Sequence, residues 1–95
     1  MFRINKIFEN DLTVILKIEG ELSDKNLQDW SDEINRLIKL FEQKIIVELC
    51  KVTSMCPKAV QVLIDLITEN IYLLNCPTLA KNMLHAAGLS ANILE

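Results

Sequence analysis

The sequence predicts an α/β fold, a mixed four-stranded sheet with helices mainly on one face, in the order β-β-α-β-α-β-α. Three observations carry this expectation. Two β-prone segments near the start are separated by Glu9-Asn10-Asp11, a turn by composition. Later stretches repeat apolar residues at steps of three and four, the period of a helix with one buried face. Short apolar runs, Ile45 to Leu49 and Ile71 to Leu74, fall between those stretches, as in parallel strands joined by helical crossovers.

Each element follows from its residues. Phe2 to Phe8 is apolar and β-prone, with Phe2, Ile4 and Lys6 on one face and Ile7 on the other. Leu12 to Ile18 alternates, with Leu12, Val14, Leu16 and Ile18 sharing a face, so the two segments close as an antiparallel hairpin. Gly20-Glu21-Leu22 leaves the strand, and Ser23 is placed to cap a helix whose first turn holds Asp24. Leu27, Trp30, Ile34, Leu37, Ile38 and Phe41 form that helix's apolar stripe, opposed by Asp29, Asp32, Glu33, Arg36, Lys39 and Glu42. Ile45 to Leu49 is apolar almost throughout, which predicts a strand covered on both faces. Cys50 to Met55 reads as a loop, and Pro57 suits the first position of a second helix. That helix carries Ala59, Val60, Leu63, Leu66 and Ile67 and ends by Asn70. Ile71 to Leu74 is the fourth strand. Pro77 opens a third helix with Leu79, Ala80, Met83, Leu84 and Ala87, and Gly88 closes it.

Composition narrows the function classes. The chain has 95 residues, enough for a single domain over 1–95 and too few for a β/α barrel. Hydrophobic residues make up 51% and charged residues 24%, which excludes a disordered chain. The net charge is -3 and the Lys and Arg residues are dispersed among acids, so no basic footprint for nucleic acid exists. No apolar run reaches the ~20 residues of a membrane span, and the first residues lack the apolar core of a secretory signal. Both observations favour a cytoplasmic protein without membrane insertion. The 3 Cys, an odd number, then read as reduced thiols.

Ile45 to Val60 reads IIVELCKVTSMCPKAV. This resembles the signature of the STAS domain, shared by anti-sigma-factor antagonists and the cytoplasmic tails of sulfate transporters. There a buried strand ends in an acid and Leu, followed by a spaced Val, an apolar residue, Asp-Ser-Ser-Gly and a helix. Glu48 and Leu49 match the strand end, Val52 the Val and Met55 the apolar position. Lys17 to Leu22 is similar to the family's strand ending in Gly-Glu-Leu before a long helix. Leu73 to Pro77 is similar to its fourth strand and following helix, and Leu84 to Leu89 to its last helix with a Gly-Leu exit. The match runs in order along nearly the whole chain.

The resemblance also locates a departure. Aligned on the family, Cys56 replaces the Asp, Pro57 the phosphoacceptor Ser, Lys58 the next Ser and Ala59 the Gly. Proline has no hydroxyl to phosphorylate. A phosphate there would add about -1.5 to -2 charge, whereas Lys58 places a positive charge in the same neighbourhood. The resemblance thus implies a non-enzymatic protein-interaction domain with no cofactor, whose partner is another protein such as an anti-sigma-factor-type kinase. The implied contact residues are Lys51, Thr53, Ser54, Lys58 and Gln61, with Ser54 and Thr53 the remaining hydroxyls of the segment. Oligomeric state is left open.

Two other functions compete with this. Small apolar or anionic ligands would sit at the strand C-termini against helix N-termini, making a ligand-sensing domain. Alternatively Cys50, Cys56 and Cys76, each near a strand end, would make a thiol or metal sensor, since a helix N-terminus stabilises a thiolate. Against that, Pro suits the first helical turn and Cys often serves as a small buried hydrophobe. His85, the only His, has no second His and no acid–nucleophile set around it in sequence, so it reads as a helix-end residue. Trp30 reads as core. Asp24, Asp29, Asp32 and Glu33 read as a solvated face, and with 2 Gly in the chain no glycine-rich phosphate cradle is present.

Overall fold

A computed structural model of the chain describes residues 1–67 and 70–94. A turn at Asn10 starts the sheet: its side-chain Oδ1 accepts hydrogen bonds from the Leu12 and Thr13 amides at 2.9 and 2.8 Å. This closes β1 (Phe2–Glu9) against β2 (Thr13–Leu22) as the expected antiparallel hairpin. A bulge between Lys6 and Phe8 leaves Ile7 as the extra residue, half exposed.

β2 leads through a 3-10 turn (Asp24–Asn26) into α1 (Leu27–Ile38), which returns the chain to β3 (Lys44–Met55). Ser23 starts that turn, its amide donating to the Asn26 side chain at 3.0 Å. Then follow α2 (Pro57–Leu66), β4 (Ile71–Leu74), α3 (Thr78–Ala86), a second 3-10 turn (Ser90–Asn92) and β5 (Ile93–Leu94). Strand order is β1-β2-β3-β4-β5, and every pairing after the hairpin is parallel. Crossovers of one hand that step always in one direction put their helices on one face. The burial pattern agrees: Val14, Leu16 and Ile18 of β2 are fully buried, while Thr13, Ile15, Lys17 and Glu19 between them are half-buried. The core lies on the helix side, where Ile45, Val47 and Leu49 of β3 and Ile71 and Leu73 of β4 meet Trp30, Ile34, Leu63 and Leu84.

Several expectations are corrected. The sheet has five strands, not four, because the chain after Gly88 turns back and lays Ile93–Leu94 beside β4. Gly20-Glu21-Leu22 stays in β2, and Cys50 to Met55 is strand, not loop. These two extensions pair with each other, Glu19 with Lys51, Gly20 with Val52 and Leu22 with Met55, so each supplies the other's backbone partners. Two bulges absorb the irregular spacing that hid them from periodicity. Phe41 lies past the end of α1 but still packs on the core. α2 stops at Leu66, with Ile67 extended, well before Asn70. Pro77 caps α3 from outside the helix, and Gly88 follows it at φ 78°.

Candidate functional site

β3 ends at Met55 and hands the chain to α2 through Cys56. The Cys56 amide donates to the Leu22 carbonyl at 3.0 Å, which ties the junction to the end of β2. Its carbonyl accepts from the Ala59 and Val60 amides at 3.0 and 3.2 Å, starting the helix. Its thiol donates to the Asp24 carboxylate at 3.2 Å. Asp24, exposed as expected, is thus also a tether between the first 3-10 turn and the head of α2. Pro57 takes the first helical position, where its missing N–H costs no helix bond.

Ala59, Val60 and Leu63 point into the core, which leaves Pro57, Lys58 and Gln61 exposed on the outer side of α2. Thr53 and Ser54, at the second bulge of β3, are exposed beside them. Lys51 is also exposed but sits apart. Because this segment is strand, about 20 Å of extended chain separates it from the first residue of α2, at ~3.3 Å per residue. It lies instead across from Glu19 on the sheet.

Two of the three thiols, Cys50 and Cys76, sit in surroundings that oppose ionisation. A hydrogen bond to the Glu48 carboxylate pushes the Cys50 thiol above its ordinary value, and burial pushes Cys76 up to about 11 despite the opposing charge of Lys81. Both are thus held protonated at neutral pH, the opposite of thiolate activation. No three metal-ligating side chains come together among the described residues. His85 is exposed in the last turn of α3 and shares a hydrogen bond with Ser90. On α1, Glu33 pairs with Arg36 at 2.8 Å, which lowers its pKa, and Asp32 accepts from Gln28. Trp30 is fully buried, as expected. Two shallow grooves are lined by Phe2, Asp29, Asp32, Glu33 and Arg36, and by Met1, Phe2, Arg3, Glu19 and Gly20. Neither touches the starts of α2 or α3, where the ligand-sensing alternative places its site.

One feature escaped sequence reasoning. Glu48 is 9% exposed, and Asn75 Nδ2 donates to both its oxygens at 3.0 Å while the Cys50 amide donates to one at 2.7 Å. Burial works to raise this carboxyl's pKa, but the Asn75 side chain and the Cys50 and Leu49 amides outweigh it and hold it below the ordinary value. Asn75 stands at φ 57°, the left-handed region, so its backbone and side chain together join the ends of β3 and β4. The available signal was an Asn directly after a strand, a residue type that tolerates this conformation. Because the folded pKa is depressed, the stabilisation is complete above the ordinary carboxylate range and is lost as pH falls through the depressed value. Asn75→Ala loses both the charged hydrogen bonds and the tolerance for φ 57°, an expected cost of about 2–4 kcal/mol. Asn75→Gly keeps the conformation and should lose less. Urea unfolding at pH 7 and at pH 3 tests this: the penalties should shrink in acid, and equal penalties at both would rule out the carboxylate as their source.

No protein-family model matches the chain, and no curated protein matches its sequence. Solved structures do. The chain is similar to the anti-sigma factor antagonist SpoIIAA in its unphosphorylated form, at 17% identity and a TM-score of 0.67, covering 99% of this chain and 86% of that one. It is similar to the Bacillus cell fate determinant SpoIIAA in the phosphorylated form, at 15% identity and a TM-score of 0.68, covering 99% and 89%. Identities this low speak for architecture alone: the chain has the STAS-like α/β fold, that of the anti-sigma factor antagonist SpoIIAA.

Proposed function

We propose that this chain is a non-enzymatic protein-interaction domain of the anti-sigma-factor-antagonist kind, with its contact face at the start of α2. The observation that carries the reading is the β3–α2 junction. It presents Thr53, Ser54, Lys58 and Gln61 outward from a frame anchored by the Cys56 bonds to Leu22 and Asp24. Lys51, across from Glu19 on the sheet, stands outside this face. A helix start held from two sides loses little freedom on binding, so more of the contact energy appears as affinity. The partner class is another protein, with an anti-sigma-factor-type kinase domain the first to test.

Pro57 occupies the place that the family alignment gives to the phosphoacceptor, and it offers no hydroxyl. Binding by this chain is then governed by surface complementarity and by competition for the partner, with Lys58 favouring an acidic counterpart. Titration calorimetry against candidate anti-sigma-factor-type kinase domains, with and without ATP, tests the proposal. Binding is expected, with no phosphate at position 57 by mass spectrometry. Lys58→Glu together with Gln61→Glu should weaken it by about tenfold or more, the effect of placing repulsive charge in a contact face. Binding unchanged by this pair would remove the proposed face.

A further inference from the structure

The sheet has a second face that no helix among the described residues covers. Its residues, half-buried or exposed except for the buried Glu48, fall in register across the strands. Phe8, Ile15, Ile46 and Tyr72 form one row, from β1 to β4. Asn5, Lys17, Glu48 and Leu74 form the next, and Arg3, Glu19 and Lys51 a third. At the other end Thr13 pairs with Lys44, whose ammonium lies 4.5 Å from the centre of the Tyr72 ring on this same face.

We propose that this face binds a second copy of the chain, about a two-fold axis running along the strands midway between β2 and β3. The argument is self-complementarity. Such an axis lays β2 of one protomer over β3 of its partner at the same height, because these strands are parallel and in register. Ile15 then meets Ile46 and Glu19 meets Lys51, each twice. Phe8, 45% exposed in the single chain, meets Tyr72. Glu19 and Lys51 of each copy face their opposites in the partner and the apolar row faces itself, while Arg3 stays beside Glu19 and Glu48 stays with Asn75 within each chain. Aligned stacking of sheets at ~10 Å, turned by ~30°, is a standard packing mode that allows these contacts. A face four strands wide spans only about 14 Å between its outer strands, at ~4.8 Å per step. The interface is therefore small, and the dimer should form and dissociate with concentration.

This proposal does not rest on the contact face of α2, and its test separates the two. In sedimentation equilibrium the mass should rise from the 10.9 kDa of one chain toward twice that value with concentration. Amide resonances of Ile15, Lys17, Ile46 and Tyr72 should shift over the same range while those of α2 stay still. Glu19→Lys should weaken association by about fivefold, by setting like charges face to face. Adding Lys51→Glu should restore it, and Lys58→Glu should leave it unchanged. Circular dichroism establishes that each variant is folded. A constant 10.9 kDa at every concentration would overturn the proposal. So would shifts confined to the helices, a charge swap that fails to restore association, or movement of the sheet amides only with an added amphipathic peptide.

Discussion

Trp30→Ala is expected to cost the domain about 3–5 kcal/mol, the range for deleting a fully buried aromatic side chain. Trp30 has no exposed surface and packs where α1 meets the sheet, in the cluster that includes Leu16, Ile18, Ile34 and Leu63. The chain is small, and domains of this class hold only about 5–15 kcal/mol of net stability. The loss should lower the thermal midpoint by more than about 12 °C, at roughly 4–8 °C per kcal/mol for this size. Trp30→Phe should cost far less. The indole N–H is buried without a hydrogen-bond partner among the described residues, so its removal relieves a desolvated donor while most of the ring contact survives. Calorimetric melting of the two variants gives the comparison. A midpoint that barely moves in Trp30→Ala would mean that the ring is not part of the core.

Gly20→Ala should be the most damaging change in the sheet, at about 2–4 kcal/mol from backbone strain and overpacking together. Gly20 has φ 99°, a conformation that L side chains rarely adopt. A Cβ there would stand 2.3 Å from the Met1 carbonyl oxygen and 3.2 Å from the Phe2 Cα. Both obstacles are backbone. Relief requires the start of β1 to move away, which breaks the bond from the Glu21 amide to the Met1 carbonyl at 3.2 Å. The damage should therefore concentrate where β1 begins. Faster amide exchange at Arg3 and Glu21, with β3 and β4 still protected, is the expected signature. Gly88→Ala makes a useful contrast, since φ is 78° but nothing lies near the added carbon, so strain acts there without a clash. Equal costs at the two positions would show that crowding against Met1 contributes nothing.

The elements with clean periodicity were legible in the sequence. The alternation of Val14, Leu16 and Ile18 and the stripe from Leu27 to Ile38 were readable because one face of each is buried on the helix side, whereas Leu12, expected on the same face, precedes β2 and is exposed. The strand at Ile71 to Leu74 matched residue for residue. What misled was the stretch from Cys50 to Met55, where bulges interrupt the two-residue period and most side chains are exposed. A strand without a hydrophobic face looks like a loop until its partner is known. Here the partner is the equally irregular end of β2, and Leu94 and Ile93 likewise become a strand only by lying beside Leu73 and Leu74.

The same distinction governs the candidate site. Composition and local pattern were sufficient for the element order, the buried Trp30, the proline at the head of α2 and the absence of a hydroxyl at position 57. These depend on residue type and on neighbours a few positions away. Tertiary structure alone decided that Lys51 stands apart from Lys58, that Cys56 is bound to Asp24 across 32 positions, and that Glu48 is held ionised by Asn75 across 27. Each of those depends on which strands lie side by side. Strand pairing joins distant segments through backbone groups that every residue carries, so side-chain pattern does not encode it.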